Sequence, residues 1–345
     1  MTKNNRIDAT NPLDLVYSPQ DIVTIGSKYL DTRRHDKISG IPIGLTSLDE
    51  KFLPLLPGEL MSIIARPGQG KTGFMMRWAR VRAKWLQDNG MIDRVVVYAT
   101  WEQSIEELYA FNVAADTLLS VTDMAMGKID DGNWNSVGEY GAKRIMLPLW
   151  FIGHSIERRK KRPNLTVTNL AKALDNTERW DNGKIQIDMV FVDYLQRIKF
   201  ENDVESKTIG VSDNLDRLKD GALRFGCPFV VGVQATRAVE ERDMPIPQME
   251  DGQWTSNIEQ TSDKIFSLVR PRKYKQEGES FGKKSPVIVQ GHSQMLVSCL
   301  KQKLGPDNWV KWVFFEPEYN RLDELEMRNV NLNGDSIDLV RYQDN

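Results

Sequence analysis

Cysteine is nearly missing from this chain: Cys227 and Cys299 are the two among 345 residues. Both sit inside apolar runs (225–233 and 295–300) with no spacing pattern, which excludes a disulfide framework and reads as two buried thiols in a reducing compartment. The three histidines are scattered, which excludes a zinc cluster built on them. No apolar run reaches membrane length, and the opening Met1-Thr2-Lys3-Asn4-Asn5 is polar, so neither a signal peptide nor a spanning helix is expected. A cytoplasmic location without membrane partners follows. Charge of one sign is also missing: 46 Lys and Arg against 48 Asp and Glu leave a net charge of -2. That balance argues neither for nor against nucleic acid, since a narrow basic channel can hide in a neutral total.

What is present suits one large α/β domain with a small appendage. Hydrophobic residues are 40% and charged residues 27%, enough for a substantial core. Residues 1–17 are expected to be a disordered start. Ser18-Pro19-Gln20-Asp21 combines an N-cap with Pro at the first helical position and opens an amphipathic helix to about Arg33. A Gly/Pro-rich linker completes 18–40, the main domain fills 41–325, and 326–345 is a tail. Apolar runs predict strands at 61–65, 94–100, 149–153, 188–192, 228–234, 264–269, 295–301 and 309–316. Most are continuous rather than alternating, and helical patterns separate the early ones, as in a mostly parallel sheet covered on both faces. The basic block Arg158-Arg159-Lys160-Lys161-Arg162 reads as a solvated loop insertion, with nucleic-acid contact as the sharper alternative.

Ala65-Arg66-Pro67-Gly68-Gln69-Gly70-Lys71-Thr72 lies between an apolar strand and a helical pattern over 73–87. A glycine-bearing loop at that junction aims backbone N–H groups and the helix dipole at one point, which is a phosphate site. Lys71 then reaches the β- and γ-phosphates, and the Thr72 hydroxyl ligates Mg²⁺, so ATP and Mg²⁺ are the expected cofactors. Ala65 stands where the usual pattern has its first glycine. Three further groups complete a hydrolytic set. Asp193 ends the apolar run Asp188-Met189-Val190-Phe191-Val192 and is placed to hold Mg²⁺, with helix capping as the alternative. Glu102, just past the 94–100 strand, is placed to polarise the attacking water, with opening of a helix over 103–113 as the alternative. Gln234 ends the 228–234 strand and is a candidate sensor of the γ-phosphate.

In this order these residues resemble the motor domain of DnaB-type replicative helicases, ring-forming members of the RecA-like ATPases. The resemblance runs from about Ser18 to Asp323. It is carried by Ile41-Pro42-Ile43-Gly44-Leu45-Thr46-Ser47-Leu48-Asp49, the Ala-Arg-Pro form of the P-loop, and Asp193-Tyr194-Leu195-Gln196. Gln234-x-x-Arg237-x-x-Glu240-x-Arg242, Asn257-Ile258-Glu259-Gln260-Thr261-Ser262-Asp263 and Lys301-Gln302-Lys303-Leu304-Gly305-Pro306 follow. It implies a RecA-like P-loop ATPase core in a homo-oligomeric, hexameric ring, behind a linker helix that docks on the adjacent subunit, with folding back onto its own domain as the alternative.

The same resemblance implies roles. Glu102 is the catalytic glutamate, Asp193 the metal-binding acid, Gln234 the coupling residue, and Arg237, Glu240 and Arg242 further coupling positions. Lys301 and Lys303 reach the neighbouring subunit's γ-phosphate, with an exposed edge strand as the bland alternative. Position 303 is lysine where the family has an arginine finger, replacing a planar fork by a point charge. The DNA-gripping loop corresponds to Gln253, Trp254, Thr255 and Ser256. It lacks the family's arginine there, and Trp254 offers base stacking or a loop anchor instead. The family's N-terminal collar is expected to be missing. Single-stranded DNA is the implied partner, with a loader or primase as further candidates. A RecA- or RadA-like recombination ATPase and a regulatory or packaging ATPase on the same fold are the competing functions.

Overall fold

The computed structural model describes residues 16–35, 40–158, 165–254, 257–282, 287–289, 291, 293–327 and 339–341. Residues 1–15, the linker at 36–39, Arg159 to Arg162, Thr255, Ser256 and most of 326–345, all subjects of expectations above, lie outside the described residues. The chain divides into Met1–Ile41 and Pro42–Asn345. In the first unit, α1 (Pro19–His35) starts where the capping signal predicts. The Ser18 backbone N–H donates to Asp21 Oδ2 at 2.9 Å, and the Asp21 N–H donates back to Ser18 Oγ at 3.2 Å. Ile22, Ile25, Tyr29 and Leu30 of α1 are exposed.

The second unit is built on a nine-stranded sheet. Its strands are β1 (Leu60–Ala65), β2 (Arg94–Thr100), β3 (Leu149–Ile152), β4 (Gln186–Asp193), β5 (Phe229–Gln234) and β6 (Lys264–Val269). Two short strands, β7 (Ser280–Phe281) and β8 (Val287–Ile288), pair separately. The large sheet continues with β9 (Gln294–Gln302), β10 (Trp309–Glu316) and β11 (Arg321–Asp323). Across it the order is β11-β10-β9-β6-β1-β5-β4-β2-β3. The segment from β6 to β3 is parallel, and β9, β10 and β11 add antiparallel. Every strand predicted from apolar runs is present. At the far end β12 (Leu325–Met327) pairs antiparallel with β13 (Leu339–Arg341), so part of the expected tail is strand.

The helices are α2 (Thr46–Asp49), α3 (Lys71–Asp88), α4 (Ile105–Thr117), α5 (Val121–Ala125), α6 (Asp131–Ile145), α7 (Val167–Glu178), α8 (Trp180–Gly183), α9 (Lys207–Phe225) and α10 (Ile258–Thr261). Central β1 is buried at every position, which explains its apolar run, interrupted only by the buried Ser62. On one face α3 sets Trp78 with its ring centroid 5.9 Å from that of Phe191 in β4. On the other, Leu170 and Leu174 of α7 and Leu215, Leu218 and Ala222 of α9 pack on β1, β4 and β5. The stretch ahead of α2 is stapled to α3. The Asp49 carboxylate accepts the Ile43 and Gly44 N–H groups at 2.8 Å each, and the Trp78 indole donates to Pro42 O at 2.7 Å. Gly44 has φ 79°, and a Cβ there would lie 2.5 Å from Val81 Cγ1, so only glycine fits. Cys227 and Cys299 are both buried, and burial pushes the Cys299 thiol up to about 12. Among the described residues, no helix is long and apolar enough to cross a membrane.

Candidate nucleotide-binding site

The loop from β1 to α3 closes around a cavity of about 290 Å³ at the carboxyl edge of the parallel strands. Ala65 is the last residue of β1, paired with Gln234 on one side and Leu268 on the other, so extended backbone is required there and glycine is not. The tight geometry begins later. Gly68 has φ 73°, and Gly70 has φ 90° as the N-cap of α3. A Cβ on Gly70 would come within 2.5 Å of Met295 Cε and 2.8 Å of Phe315 Cε1. The Gln69 side chain accepts the Arg270 N–H at 2.6 Å and donates to the Tyr274 hydroxyl at 3.0 Å, bracing the loop against the segment after β6. Arg66 donates to Glu240 at 2.7 Å and to Ala235 O at 2.9 Å, bracing it against the segment after β5.

Four groups meet where a terminal phosphate would sit. The Thr72 hydroxyl donates to Asp193 Oδ2 at 2.7 Å, and the Tyr98 hydroxyl donates to the same oxygen at 2.9 Å. Lys71 Nζ lies 3.9 Å from Asp193 Oδ1 and 4.1 Å from the centroid of the Tyr194 ring. Burial pushes the Lys71 ammonium below the ordinary lysine range, and the charges of Asp193 and Glu102 oppose that shift. Burial, with the Asp193 charge adding to it, pushes Tyr98 well above the usual phenol range, so its O–H stays a donor. Asp193 is fully buried and caps no helix. Its Oδ1 has no hydrogen-bond partner among the described residues. A buried, unsaturated carboxylate oxygen beside a threonine hydroxyl is a hard-oxygen donor set that fits Mg²⁺.

Glu102 and Gln234 both line the same cavity. Glu102 is exposed in the turn after β2. The helix that follows is started by Ser104, whose hydroxyl accepts the Glu107 N–H while Glu107 accepts the Ser104 N–H. Glu106 and Glu107 are the acids of that first turn, so Glu102 is not needed to open α4, and the helix begins two residues later than its predicted start at 103. Gln234, at the tip of β5, donates its backbone N–H to the Gln196 side-chain oxygen at 3.0 Å.

Other predicted residues lie away from the cavity. Lys301 donates to Glu259 O at 2.6 Å and Ser262 O at 2.8 Å, and Lys303 pairs with Asp263 at 3.4 Å. Lys301, in β9, and Lys303, just past its end, lie beside the amino-terminal end of β6, a strand's length from the P-loop, and β9 is an interior strand rather than an edge. The edge-strand alternative is therefore corrected for Lys301, while Lys303, outside the strand, is an exposed charge. Arg242 forks onto Asp251 at 2.5 and 2.9 Å, and Arg237 is exposed. Trp254 is 40% exposed, with Lys207 Nζ 4.7 Å from its ring centroid.

The structure adds residues that no motif marked. Arg270, Phe315, Pro317 and Asn320 line the cavity from the antiparallel side. Gly73 is in contact with two of them, because a Cβ there would lie 2.6 Å from both Asn320 Oδ1 and Phe315 Cε2. Gly232 in β5 makes room for the Lys71 stem, since a Cβ would lie 3.0 Å from Lys71 Cδ. Glycine at 73 and 232 was the available signal, but its meaning depends on which strand passes behind.

The family model for the DnaB-like helicase C-terminal domain matches residues 40–324. The replicative DNA helicase DnaB of Pasteurella multocida (strain Pm70) is 25% identical over 323 residues, covering 90% of this chain and 63% of that protein. The replicative DNA helicase DnaB of Haemophilus influenzae is 24% identical over 318 residues, covering 91% and 61%. The chain thus spans less than two thirds of the length of these curated relatives. Among solved structures, the ATPase domain of G40P aligns with a TM-score of 0.72 at 22% identity, over 88% of this chain and 98% of that one. A DnaB-like replicative helicase, solved with attention to its interactions with primase, aligns at 0.69 and 21% identity over 90% and 68%. At such identities these two establish the fold.

Proposed function

This chain belongs to the family of DnaB-like helicase C-terminal domains, and on that footing we propose that it is an ATP-driven motor that moves along single-stranded DNA and separates duplex, as a ring of its own copies. The observation that carries the reading is the convergence of Lys71, Thr72, Glu102 and Gln234 on one cavity at the carboxyl edge of the sheet, with Asp193 buried behind Thr72. ATP binds with its β- and γ-phosphates against the P-loop amides and Lys71. Thr72 and Asp193 would hold Mg²⁺, which when bound would supply positive charge beside the phosphates. Glu102 orients the attacking water and accepts its proton. Gln234 registers whether the γ-phosphate is present.

Lys301 and Lys303 of one subunit complete the site of the next. Their place at the opposite end of the sheet supports this, because a ring places the far end of one domain beside the P-loop of its neighbour. The exposed Ile22, Ile25 and Tyr29 of α1 supply apolar surface for the same self-association. Trp254 and Lys207 face the track as an aromatic plane and a cation, the pair that single-stranded nucleic acid takes. A loader or primase remains a partner by kinship, and hexameric order likewise.

ATP hydrolysis and strand displacement, measured with and without single-stranded DNA, test the reading. DNA should stimulate turnover, and Lys71→Ala should abolish it. Glu102→Gln should still bind nucleotide while turnover falls by about a hundredfold or more, as expected on losing a general base. Wild-type turnover in Glu102→Gln would remove Glu102 from its role. Hydrolysis with neither stimulation nor unwinding would leave a regulatory or packaging ATPase.

A further inference from the structure

We infer that Gln196 is the positioning residue that ties the state of the nucleotide site to the Trp254 loop. Its side-chain amide is used at both ends. The oxygen accepts the Gln234 N–H at 3.0 Å. The nitrogen donates to Gln253 O at 2.8 Å and lies 3.4 Å from Gln234 O. The pattern of one N–H donor and two carbonyl acceptors fixes which end of the amide is which. Gln253 also donates its N–H to Gln234 O at 2.8 Å. One side chain therefore clasps the tip of the sensor strand and the residue directly before Trp254.

Gln196 is also close to the chemistry in sequence. Asp193 holds the buried oxygen open to Mg²⁺, the Tyr194 ring sits under the Lys71 ammonium, and Leu195 is fully buried. Residues 195–197 form a tight turn in which the Arg197 N–H bonds Tyr194 O at 3.0 Å. When phosphate draws Lys71 away from Asp193 and Tyr194, the turn must adjust as a unit, since Leu195 has no space to absorb the shift. Gln196 then carries that adjustment to two backbones at once. A hydrophobic or charged residue at 196 has no means of satisfying both partners, whereas a neutral amide of this length does. A parallel connection exists in the backbone alone: Ala235 bridges Gly252, and the Thr236 N–H bonds Asp251 O at 2.8 Å. If that connection carries the signal, Gln196 is dispensable.

The DNA half of this inference rests on the proposed function, so the test begins without DNA. Hydrogen exchange of the peptide containing Gln253 and Trp254 is followed with and without Mg²⁺ and adenylyl imidodiphosphate. In wild type the nucleotide should change its exchange. In Gln196→Ala that response should vanish while nucleotide affinity and melting temperature stay close to wild type. Gln196→Glu keeps an acceptor for the Gln234 N–H but turns a carboxylate toward Gln253 O, and should lose the response too. A response retained in both variants, or absent in wild type, overturns the inference. In steady state, the ratio of DNA-stimulated to basal ATPase should fall about fivefold or more, the lower end of coupling between linked sites. A wild-type ATPase indifferent to DNA would sink the helicase reading and leave the exchange result standing.

Discussion

Trp254 has a left-handed backbone, φ 57°, which a bulky side chain adopts only where its surroundings hold it there. The hydrogen bonds on Gln253 and the Lys207 cation over the ring do part of that holding. The residue is still 40% exposed, which is poor burial for a loop anchor and ample for a stacked base. Trp254→Ala should therefore weaken affinity for single-stranded DNA by about 1–3 kcal/mol. The slope of affinity against salt should hold, because stacking releases no counterions, and fluorescence titration at several salt concentrations reads both quantities. A lower melting temperature with unchanged DNA affinity would make Trp254 a structural anchor. From sequence, stacking and anchoring were equally open at this residue, because exposure is set by neighbours distant in the chain. Asp193 shows the other extreme. A carboxylate ending an apolar strand reads as metal-binding or helix-capping from its place, and in the fold it meets the Thr72 hydroxyl.

At the scale of elements, α3 does two tasks, and its sequence shows only one of them. Its first turn carries the P-loop residues. Three turns on, Arg82 forks onto Asp188 of β4 at 2.7 and 2.9 Å, with both side chains buried and Arg94 adding a contact at 3.3 Å. This pair ties the P-loop helix to the strand that delivers Asp193. Arg82→Ala should cost about 3–5 kcal/mol, because it strands a buried carboxylate, and Arg94 should hold the loss toward the lower end. Arg82→Met with Asp188→Leu should recover most of it, as urea melts of the three variants would show. An undiminished midpoint in Arg82→Ala would mean that Arg94 alone satisfies Asp188. Strands were legible because the central parallel ones are buried on both faces and are apolar along most of their length. The start of α4 was less legible: Glu102 and Gln103 suit a helix start by type, yet Ser104 and Glu107 close the capping box.

At the scale of the whole molecule, the two groups proposed for one hydrolytic site stand at opposite ends of one sheet. Lys303 pairs with Asp263, which Lys219 and the Leu60 N–H also hold, and it is exposed enough to leave. Mixing inactive Lys303→Ala chains with inactive Lys71→Ala chains should restore part of the ATPase, because some interfaces then combine an intact P-loop with an intact lysine. Native mass spectrometry would verify that mixed rings form, and mixed rings without activity would deny Lys303 a role across the interface. The sequence by itself determined the fold class, the strands, the P-loop and the acids around it. These follow from burial on both faces of a parallel sheet and from phosphate chemistry confined to one strand–loop–helix junction, both local in the chain. Only the tertiary structure decided that Arg270, Phe315 and Asn320 wall the cavity. It alone set Lys301 on an interior strand, with Lys303 just past its end, at the far side from the P-loop, and gave Gln196 its clasp on Gln234 and Gln253. Each of these depends on how the antiparallel strands fold back across β6 or how two distant loops meet. Strand pairing between segments far apart leaves no periodic or spacing signal in the chain.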